Sequence, residues 1–242
     1  MLKFSNANTK LKKLERFLGK GKKVYSFDLL SGHSCPFAKD CLSKAVETVD
    51  GKRSIKDGPD TLFRCYAASQ EVVYTNVYKL RKANFDTIAD LIRSKAAVST
   101  IASEIQNALP KNAGIVRIHS AGDFFHLDYY LAWLSVAEQN PGVVFYFYTK
   151  ATKFLAFNRG PANFRGTASL GGRLDDFTRR QNLPVSEVVY SEAEAVEKGL
   201  EIDTDDSHAM LQDGGTSFAL LIHGVQPKGS KAAAALKVLK GK

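Results

Sequence analysis

Short apolar runs recur along the chain, and each is bounded by polar or turn-forming residues. The runs are rich in β-branched and aromatic residues, which is typical of strands buried on both faces. They predict strands at residues 24–29, 115–118, 143–148, 163–169, 185–190 and 217–222.

Helical spacing separates these runs. Apolar residues between 84 and 109 recur at intervals of three and four with one interruption, and residues 127–137 carry one apolar stripe. Asn140-Pro141-Gly142 ends the second of these helices, because proline removes a donor and glycine permits a turn. We also predict an acidic helix at 192–199 and a lysine-rich helix around the alanines at 232–235.

Strands that are apolar on both faces and alternate with helices predict an α/β fold with a parallel sheet. Six such strands suit an open doubly wound sheet, or a partial or distorted (β/α) barrel, and both topologies stay open at this point. Residues 29–70 are rich in Gly, Ser, Cys, Asp and Pro, and we expect loop with short helices there.

The length of 242 residues predicts one domain. Within residues 1–242 we distinguish a basic, cysteine-bearing segment at 1–70, an α/β core at 71–227 and a basic tail at 228–242. The 44% apolar content is that of a globular protein and excludes a disordered chain. No apolar run approaches the ~20 residues of a membrane span, and the N-terminus lacks a secretory signal. We therefore expect a cytoplasmic protein without a membrane partner.

The net charge of +9 is unevenly distributed. Basic residues dominate residues 3–23 and the tail after Pro227, whereas acidic residues dominate residues 175–206. Basic ends of this kind suit a polyanion such as nucleic acid, and they are also common as merely solvated termini. The acidic stretch could instead contact another protein.

All three cysteines lie in the predicted loop segment: Cys35, Cys41 and Cys65. Buried structural cysteines prefer regular apolar elements, so a soft-metal site is the leading interpretation. The first pair is spaced more widely than a zinc knuckle, whereas a [4Fe-4S] cluster accepts three thiolates and leaves one iron for another ligand. Zinc and free thiols are the alternatives. His33 is a candidate fourth ligand, and Arg64 and Lys39 would favour thiolates.

Polar residues follow several predicted strands, at the edge where parallel α/β folds bind ligands. The candidate pocket residues are His119, Ser120 and Asp123, then Tyr148, Thr149 and Lys150, and then Ser169. Lys150 suits an anionic ligand, with a solvated loop lysine as the alternative. Asp123 alternatively caps the next helix. His223 ends the last predicted strand and could reach the same pocket.

Several motifs occur in a characteristic order. They are Asn6-Ala7-Asn8-Thr9-Lys10-Leu11, Ser34-Cys35-Pro36, Cys41, Cys65-Tyr66-Ala67, Arg117 to Phe125, Trp133, Tyr148-Thr149-Lys150 and Ser169. Together they resemble the bacteriophage family named after "gene product eighty-eight", over residues 5–170. The family is of unknown function, and the resemblance implies a phage-type protein that acts in the host-cell cytoplasm.

The Cys-Tyr-Ala motif and the strand-end segments are also similar to those of radical-SAM-like iron–sulfur proteins. That similarity implies a (β/α) barrel with a loop-rich, cluster-binding N-terminal segment, and S-adenosylmethionine (SAM) as a further cofactor. The cysteine spacing here is C-x₅-C-x₂₃-C, whereas the usual radical-SAM loop is C-x₃-C-x₂-C, and no cysteine follows Cys65.

We therefore expect a phage-type [4Fe-4S] protein whose substrate is unknown. The fourth iron would be open or bound by a non-cysteine group, with the strand-end residues around it. The alternatives are a nucleic-acid-binding protein with a structural metal and a module that binds a host factor. No dinucleotide fingerprint, P-loop, serine-hydrolase elbow or H-E-x-x-H zinc motif is present.

Overall fold

An eight-stranded sheet forms the centre of the protein in the computed structural model, which describes residues 1–212 and 215–241. Eight strands form this sheet, and β3 and β4 form a separate hairpin. The strands of the protein are β1 (Ser5–Asn6), β2 (Lys23–Phe27), β3 (Ser43–Glu47), β4 (Arg53–Asp57), β5 (Ala113–Ile118), β6 (Val144–Thr149), β7 (Phe164–Ser169), β8 (Val185–Val189), β9 (Glu201–Ile202) and β10 (Phe218–Leu221). All six predicted strands are present within a residue or two of their predicted bounds.

The helices lie between the strands, as the pattern of the sequence predicts. They are α1 (Thr9–Lys12), α2 (Tyr66–Val73), α3 (Thr75–Arg93), α4 (Val98–Ala108), α5 (Leu127–Gln139), α6 (Thr152–Phe157), α7 (Asp175–Arg180), α8 (Glu192–Glu197), α9 (Ser207–Leu211) and α10 (Lys231–Leu239), with a 3₁₀ turn at Lys13–Phe17. The predicted interruption within 84–109 is the break between α3 and α4. In the described part of the chain, no helix has the length and apolar character needed to cross a membrane.

The strand order is β1-β2-β5-β6-β7-β8-β10-β9. Strands β2, β5, β6, β7, β8 and β10 run parallel and follow the chain order, and β9 pairs parallel with β10. Within this sheet, β1 is the one antiparallel strand among the described residues. A doubly wound sheet reverses its strand order, so that alternative is wrong. The α/β class and the mostly parallel sheet are confirmed. β1 and β9 are free edges among the described residues, and the barrel is not confirmed.

The sheet is apolar on both faces, because neighbouring residues of one strand point in opposite directions. Val116 and Phe147 belong to the large core beneath α3, α4 and α5, whereas Ile115 and Tyr146 pack on the other face. The second face is covered by the N-terminal α1 and 3₁₀ turn and by α9. The basic N-terminal segment is therefore part of the core, rather than a solvated tail.

A β-hairpin of β3 and β4 occupies the segment predicted to be loop with short helices. That expectation is wrong because the hairpin lacks the apolar alternation of a half-buried strand pair. Ala45 and Ser43 are its buried residues, and β4 is partly exposed throughout. Main-chain pairing with few apolar side chains leaves little trace in the sequence.

A buried ionic network joins α2 to α3 and to the chain after β2. Glu71 is fully buried, pairs with Arg81 at 3.1 Å and accepts hydrogen bonds from the backbone and hydroxyl of Ser31. Arg81 also lies 3.8 Å from the Asp28 carboxylate. Because α2 begins directly after Cys65, this network fixes the position of that cysteine.

We predict that Glu71→Gln lowers the free energy of unfolding by about 3 kcal/mol, because it leaves the buried Arg81 guanidinium short of negative charge. Chemical denaturation measures the change. Glu104→Gln, on the exposed face of α4, is the matched control and should change the unfolding free energy by less than about 0.5 kcal/mol. Equal effects of the two substitutions would contradict the proposed role of the network.

Candidate functional site

All three cysteines line one cavity at the carboxyl ends of the parallel strands. The loops after β5, β6, β7 and β10 form the rest of its wall. The predicted residues that line it are His119, Ser120, Asp123, Tyr148, Thr149, Lys150, Ser169 and His223. The structure thus brings together every strand-end candidate and all three cysteines, although they come from distant parts of the chain.

The segment that carries Cys35 and Cys41 is docked against the loop after β7. The Asp40 N–H donates to the Gly171 carbonyl at 2.9 Å, and the Arg173 N–H donates to the Phe37 carbonyl at 2.8 Å. Gly172 leaves room for this approach, because a Cβ there would lie only 3.0 Å from the Phe37 carbonyl oxygen. The paired glycines therefore hold a cysteine loop.

Cys65 is held at the start of α2, and the N–H groups of Ala67 and Ala68 point towards its sulfur. The preceding residue, Arg64, is fixed by Gln226, whose side chain accepts from the Arg64 N–H at 2.7 Å and donates to its carbonyl at 3.0 Å. Cys65 is thus positioned both by its own helix and by the chain after β10.

The three thiols are close enough to influence one another's ionisation. Burial, together with Asp123 and the other two cysteines, raises the pKa of Cys35 well above its usual value. Burial and Cys41 raise the pKa of Cys65 to about 12. Burial also raises the pKa of Cys41, although the Lys150 cation opposes this shift. The thiols are therefore protonated at neutral pH, and binding a metal would release their protons.

Arg64 and Lys39, which we expected to favour thiolates, are not among the groups that act most strongly on the thiols. Arg64 forms an ion pair with Asp57 at 2.5 Å, and Lys39 is exposed. Lys150 is instead the cation that favours a thiolate, at Cys41. The sequence conceals this pairing because Lys150 and Cys41 meet only when β6 and the cysteine loop are both in place.

Asp123 joins the ends of two neighbouring strands. Its carboxylate accepts hydrogen bonds from the Thr149 hydroxyl at 2.6 Å, the Lys150 N–H at 2.8 Å and the Phe124 N–H at 2.7 Å. The helix-cap alternative is wrong, because His126 caps α5. Burial raises the pKa of Asp123 to about 6, although these three hydrogen bonds oppose the shift.

Lys150 is buried, so the alternative of a solvated loop lysine is wrong. Its ammonium group donates to the Ser169 hydroxyl at 2.9 Å and to the Leu170 carbonyl at 2.5 Å. The side chain therefore connects the end of β6 to the end of β7. The charge of the Lys150 ammonium group acts on Cys41 in the cavity, whereas its hydrogen-bond donors are largely occupied by partners within the protein.

His119 and Ser120 have polar atoms without partners beside this cavity. His119 adopts a left-handed conformation with φ of 66°, which is strained for a residue with a side chain. Its Nε2 lies 2.8 Å from the Tyr129 hydroxyl, while its buried Nδ1 and the buried Ser120 hydroxyl have no hydrogen-bond partner among the described residues. Unpaired buried polar atoms of this kind favour a site that receives a ligand.

Residues 2–241 match the protein family described as Gene product 88. The chain belongs to this family. The resemblance stated from the motifs is thereby confirmed, and it extends over nearly the whole chain rather than residues 5–170. No curated protein and no solved structure matches the chain. The similarity to radical-SAM-like proteins has no support from these comparisons.

One residue of the ligand set predicted for this Gene product 88 protein lies away from the three cysteines. His33 does not line the cysteine cavity, and its Nε2 lies 2.9 Å from the Ala45 carbonyl of the hairpin. His223 lines the cavity and packs at a tilt against Tyr66, with 5.0 Å between ring centroids. Burial lowers the pKa of His223. Within the described residues, no three or more His, Cys, Asp or Glu side chains are grouped to hold a metal ion.

An ionic network beside the cavity was not predicted from the sequence. Arg117 pairs with Asp206, which also lies 2.6 Å from the Lys10 ammonium group. Burial would raise the pKa of Asp206, but Arg117 and Lys10 hold it below its usual value. The Arg117 guanidinium also lies 4.7 Å from the centre of the Tyr148 ring, and Tyr148 donates to Asp203 at 3.4 Å. The sequence offered one indication of this network, which is that Arg117 interrupts an otherwise apolar strand.

His119 provides a test of this geometry through the pH dependence of stability. Burial, with a contribution from Arg117, lowers the pKa of His119 to about 3. As the pH falls, this histidine therefore binds a proton in the unfolded chain before it does so in the folded protein, which lowers the free energy of unfolding. We predict that wild-type protein loses about 3 kcal/mol more stability than His119→Gln between pH 7 and pH 4. Denaturation curves at both pH values measure this, and parallel losses in the two proteins would contradict a buried neutral His119.

Proposed function

We propose that this Gene product 88 family member binds a [4Fe-4S] cluster through Cys35, Cys41 and Cys65. One observation carries the proposal: cysteines from two separate segments face one cavity at the ligand-binding edge of a parallel sheet. A protein that needed the cysteines only for packing would not require them to meet there.

The residues present fit such a cluster. Three thiols form a soft donor set, and thiolates of a cluster bind separate iron atoms rather than one ion. Backbone N–H groups face two of the sulfurs, since Gly32 donates to Cys35 at 3.4 Å and two N–H groups of α2 face Cys65. Hydrogen bonds to the sulfurs tune the potential of iron–sulfur clusters.

The chain's own residues would supply the surroundings of the cluster. Lys150 would balance part of the negative charge of the thiolates, and it already favours the ionised form of Cys41. Asp123 would hold the strand ends in register through its three hydrogen bonds. When bound, the cluster would supply one-electron transfer, and the unpaired Ser120 hydroxyl would be available to a small ligand.

A radical-SAM-like reaction is a finer proposal, which rests on the resemblance alone. It predicts that SAM added to the reduced protein changes the EPR spectrum of the cluster, because SAM would bind one iron. An unchanged spectrum at saturating SAM would contradict the radical-SAM-like reaction, while the proposal of a bound cluster would stand. Zinc is the alternative metal, and elemental analysis of purified protein separates it from iron.

We predict that anaerobically reconstituted protein holds about four iron and four sulfide per chain, with a visible absorption band. Cys35→Ala, Cys41→Ala and Cys65→Ala should each lose most of the iron, because each removes one ligand. Ser54→Ala, at an exposed position of the hairpin, is the control and should keep it. A colourless wild-type protein with less than about one iron per chain would refute the proposal.

Nucleic-acid binding is a second candidate function, favoured by exposed lysines around the N-terminal segment. They are Lys12, Lys13, Lys20, Lys22 and Lys23. The acidic stretch gives less support to host-protein binding, because several of its carboxylates are used internally. Asp175 accepts N–H groups of Gly171 and Gly172 at 2.8 Å, and Asp206 pairs with Arg117.

If these lysines contact phosphates, the logarithm of the binding constant for DNA or RNA should fall linearly with the logarithm of the salt concentration. Combined Lys12→Gln, Lys13→Gln and Lys20→Gln substitutions should make this slope shallower by up to about 2–3. Exposed Lys52, Lys56 and Lys79, changed to Gln together, serve as the charge-matched control. Retention that does not depend on salt, or no retention at low salt, would rule out this function.

A further inference from the structure

The five histidines of the chain differ in their access to the cysteine cavity. His126 caps α5, His208 lies 3.0 Å from Glu201, and His33 contacts the hairpin. Only His119 and His223 line the cavity among the described residues. A non-cysteine ligand from a histidine would therefore come from the end of β5 or from the end of β10.

The hydrogen bonds of these two rings distinguish them. In His119, Nε2 faces the Tyr129 hydroxyl, which can donate or accept, so this contact does not fix the position of the proton. In His223, Nδ1 lies 3.1 Å from the Leu221 carbonyl, which can only accept. The neutral His223 ring therefore carries its proton on Nδ1 and its free lone pair on Nε2. Nε2 has no hydrogen bond to any described residue.

This arrangement is the one that metal-binding histidines adopt. Their second ring nitrogen usually donates to a carbonyl or carboxylate, which fixes the ring and leaves the other nitrogen free for the metal. In His223 the acceptor is present on the same strand end before any metal binds. The ring needs no new partner to present Nε2.

The chain around His223 is fixed against the segment that carries Cys65. The His223 ring packs at a tilt against Tyr66, the residue after Cys65, and Gln226 is hydrogen-bonded to the backbone of Arg64, the residue before it. Gly224 adopts φ of 80° where a Cβ would lie 2.7 Å from the Tyr66 Cβ. These contacts with the residues on both sides of Cys65 fix the chain around His223 against the segment that carries this cysteine.

We propose that Nε2 of His223 is the fourth protein ligand of the cluster, completing a three-cysteine, one-histidine set. The inference rests on the proposed function and goes further, since it names the ligand of the fourth iron. That iron would be bound by protein in the resting state. A small molecule could reach it only by displacing the imidazole, which lies at the exposed mouth of the cavity.

Pulsed EPR of the reduced cluster tests this ligand directly. We expect a strongly coupled nitrogen that changes from the ¹⁴N to the ¹⁵N pattern when the protein is labelled with [¹⁵N]histidine. His223→Gln, which lacks the imidazole but keeps a polar side chain, should lose this coupling while keeping three cysteine ligands. His33→Gln is the matched control and should keep it.

Two further variants keep the result clear if the iron content of His223→Gln is low. His223→Cys should restore four iron per chain without the nitrogen coupling, because a thiolate replaces the imidazole. In His223→Ala, added imidazole should restore the coupling. Circular dichroism of each variant shows whether it is folded.

The outcomes separate the two proposals. A wild-type protein without iron would overturn both the cluster and its histidine ligand. A wild-type cluster without the nitrogen coupling would overturn only the role of His223. Nitrogen coupling that persists in His223→Gln would also overturn the role of His223. Coupling that disappears in His119→Gln instead would overturn it too, and would assign the ligand to His119 at the end of β5.

Discussion

Carboxylates that accept main-chain hydrogen bonds hold the cavity together. Asp28, after β2, accepts the N–H of Ser120 at 2.7 Å, and Asp123, after β5, accepts the N–H of Lys150 at 2.8 Å. Asp175 accepts the N–H groups of the two glycines after β7. Loops beyond parallel strands have no ladder partners, so side chains must satisfy their backbone groups. Asp28 and Asp123 thereby each connect one strand end to the next, and Asp175 fixes the turn of the paired glycines.

The electrostatics of the cavity follow from this arrangement. Its cations are already engaged, since Arg117 pairs with Asp206 and Lys150 donates to the end of β7. The thiols remain neutral because burial opposes their ionisation. A positively charged metal centre would reverse that preference, since it stabilises thiolates strongly. The site therefore suits a metal better than a simple anion such as phosphate.

Much of the fold could be predicted from the sequence, because buried strands and amphipathic helices leave periodic patterns. The cysteines and strand-end residues were also identifiable, since the carboxyl edge of a parallel sheet gathers them. The hairpin was missed because its strands are polar. The Arg117–Asp206 pair and the position of His223 rather than His33 at the cavity depend on contacts between distant segments. Sequence proximity favoured His33, which lies next to Cys35 in the chain but faces the hairpin.

The walls of the cavity come from positions between Cys35 and His223, so the pocket draws on almost the full length of the chain. During synthesis the cysteines leave the ribosome early, while β10 and the turn that holds Arg64 emerge near the end. The thiols thus stay exposed to solvent and oxidants until the last strand docks. A cluster bound as proposed would consequently be loaded into the completed chain.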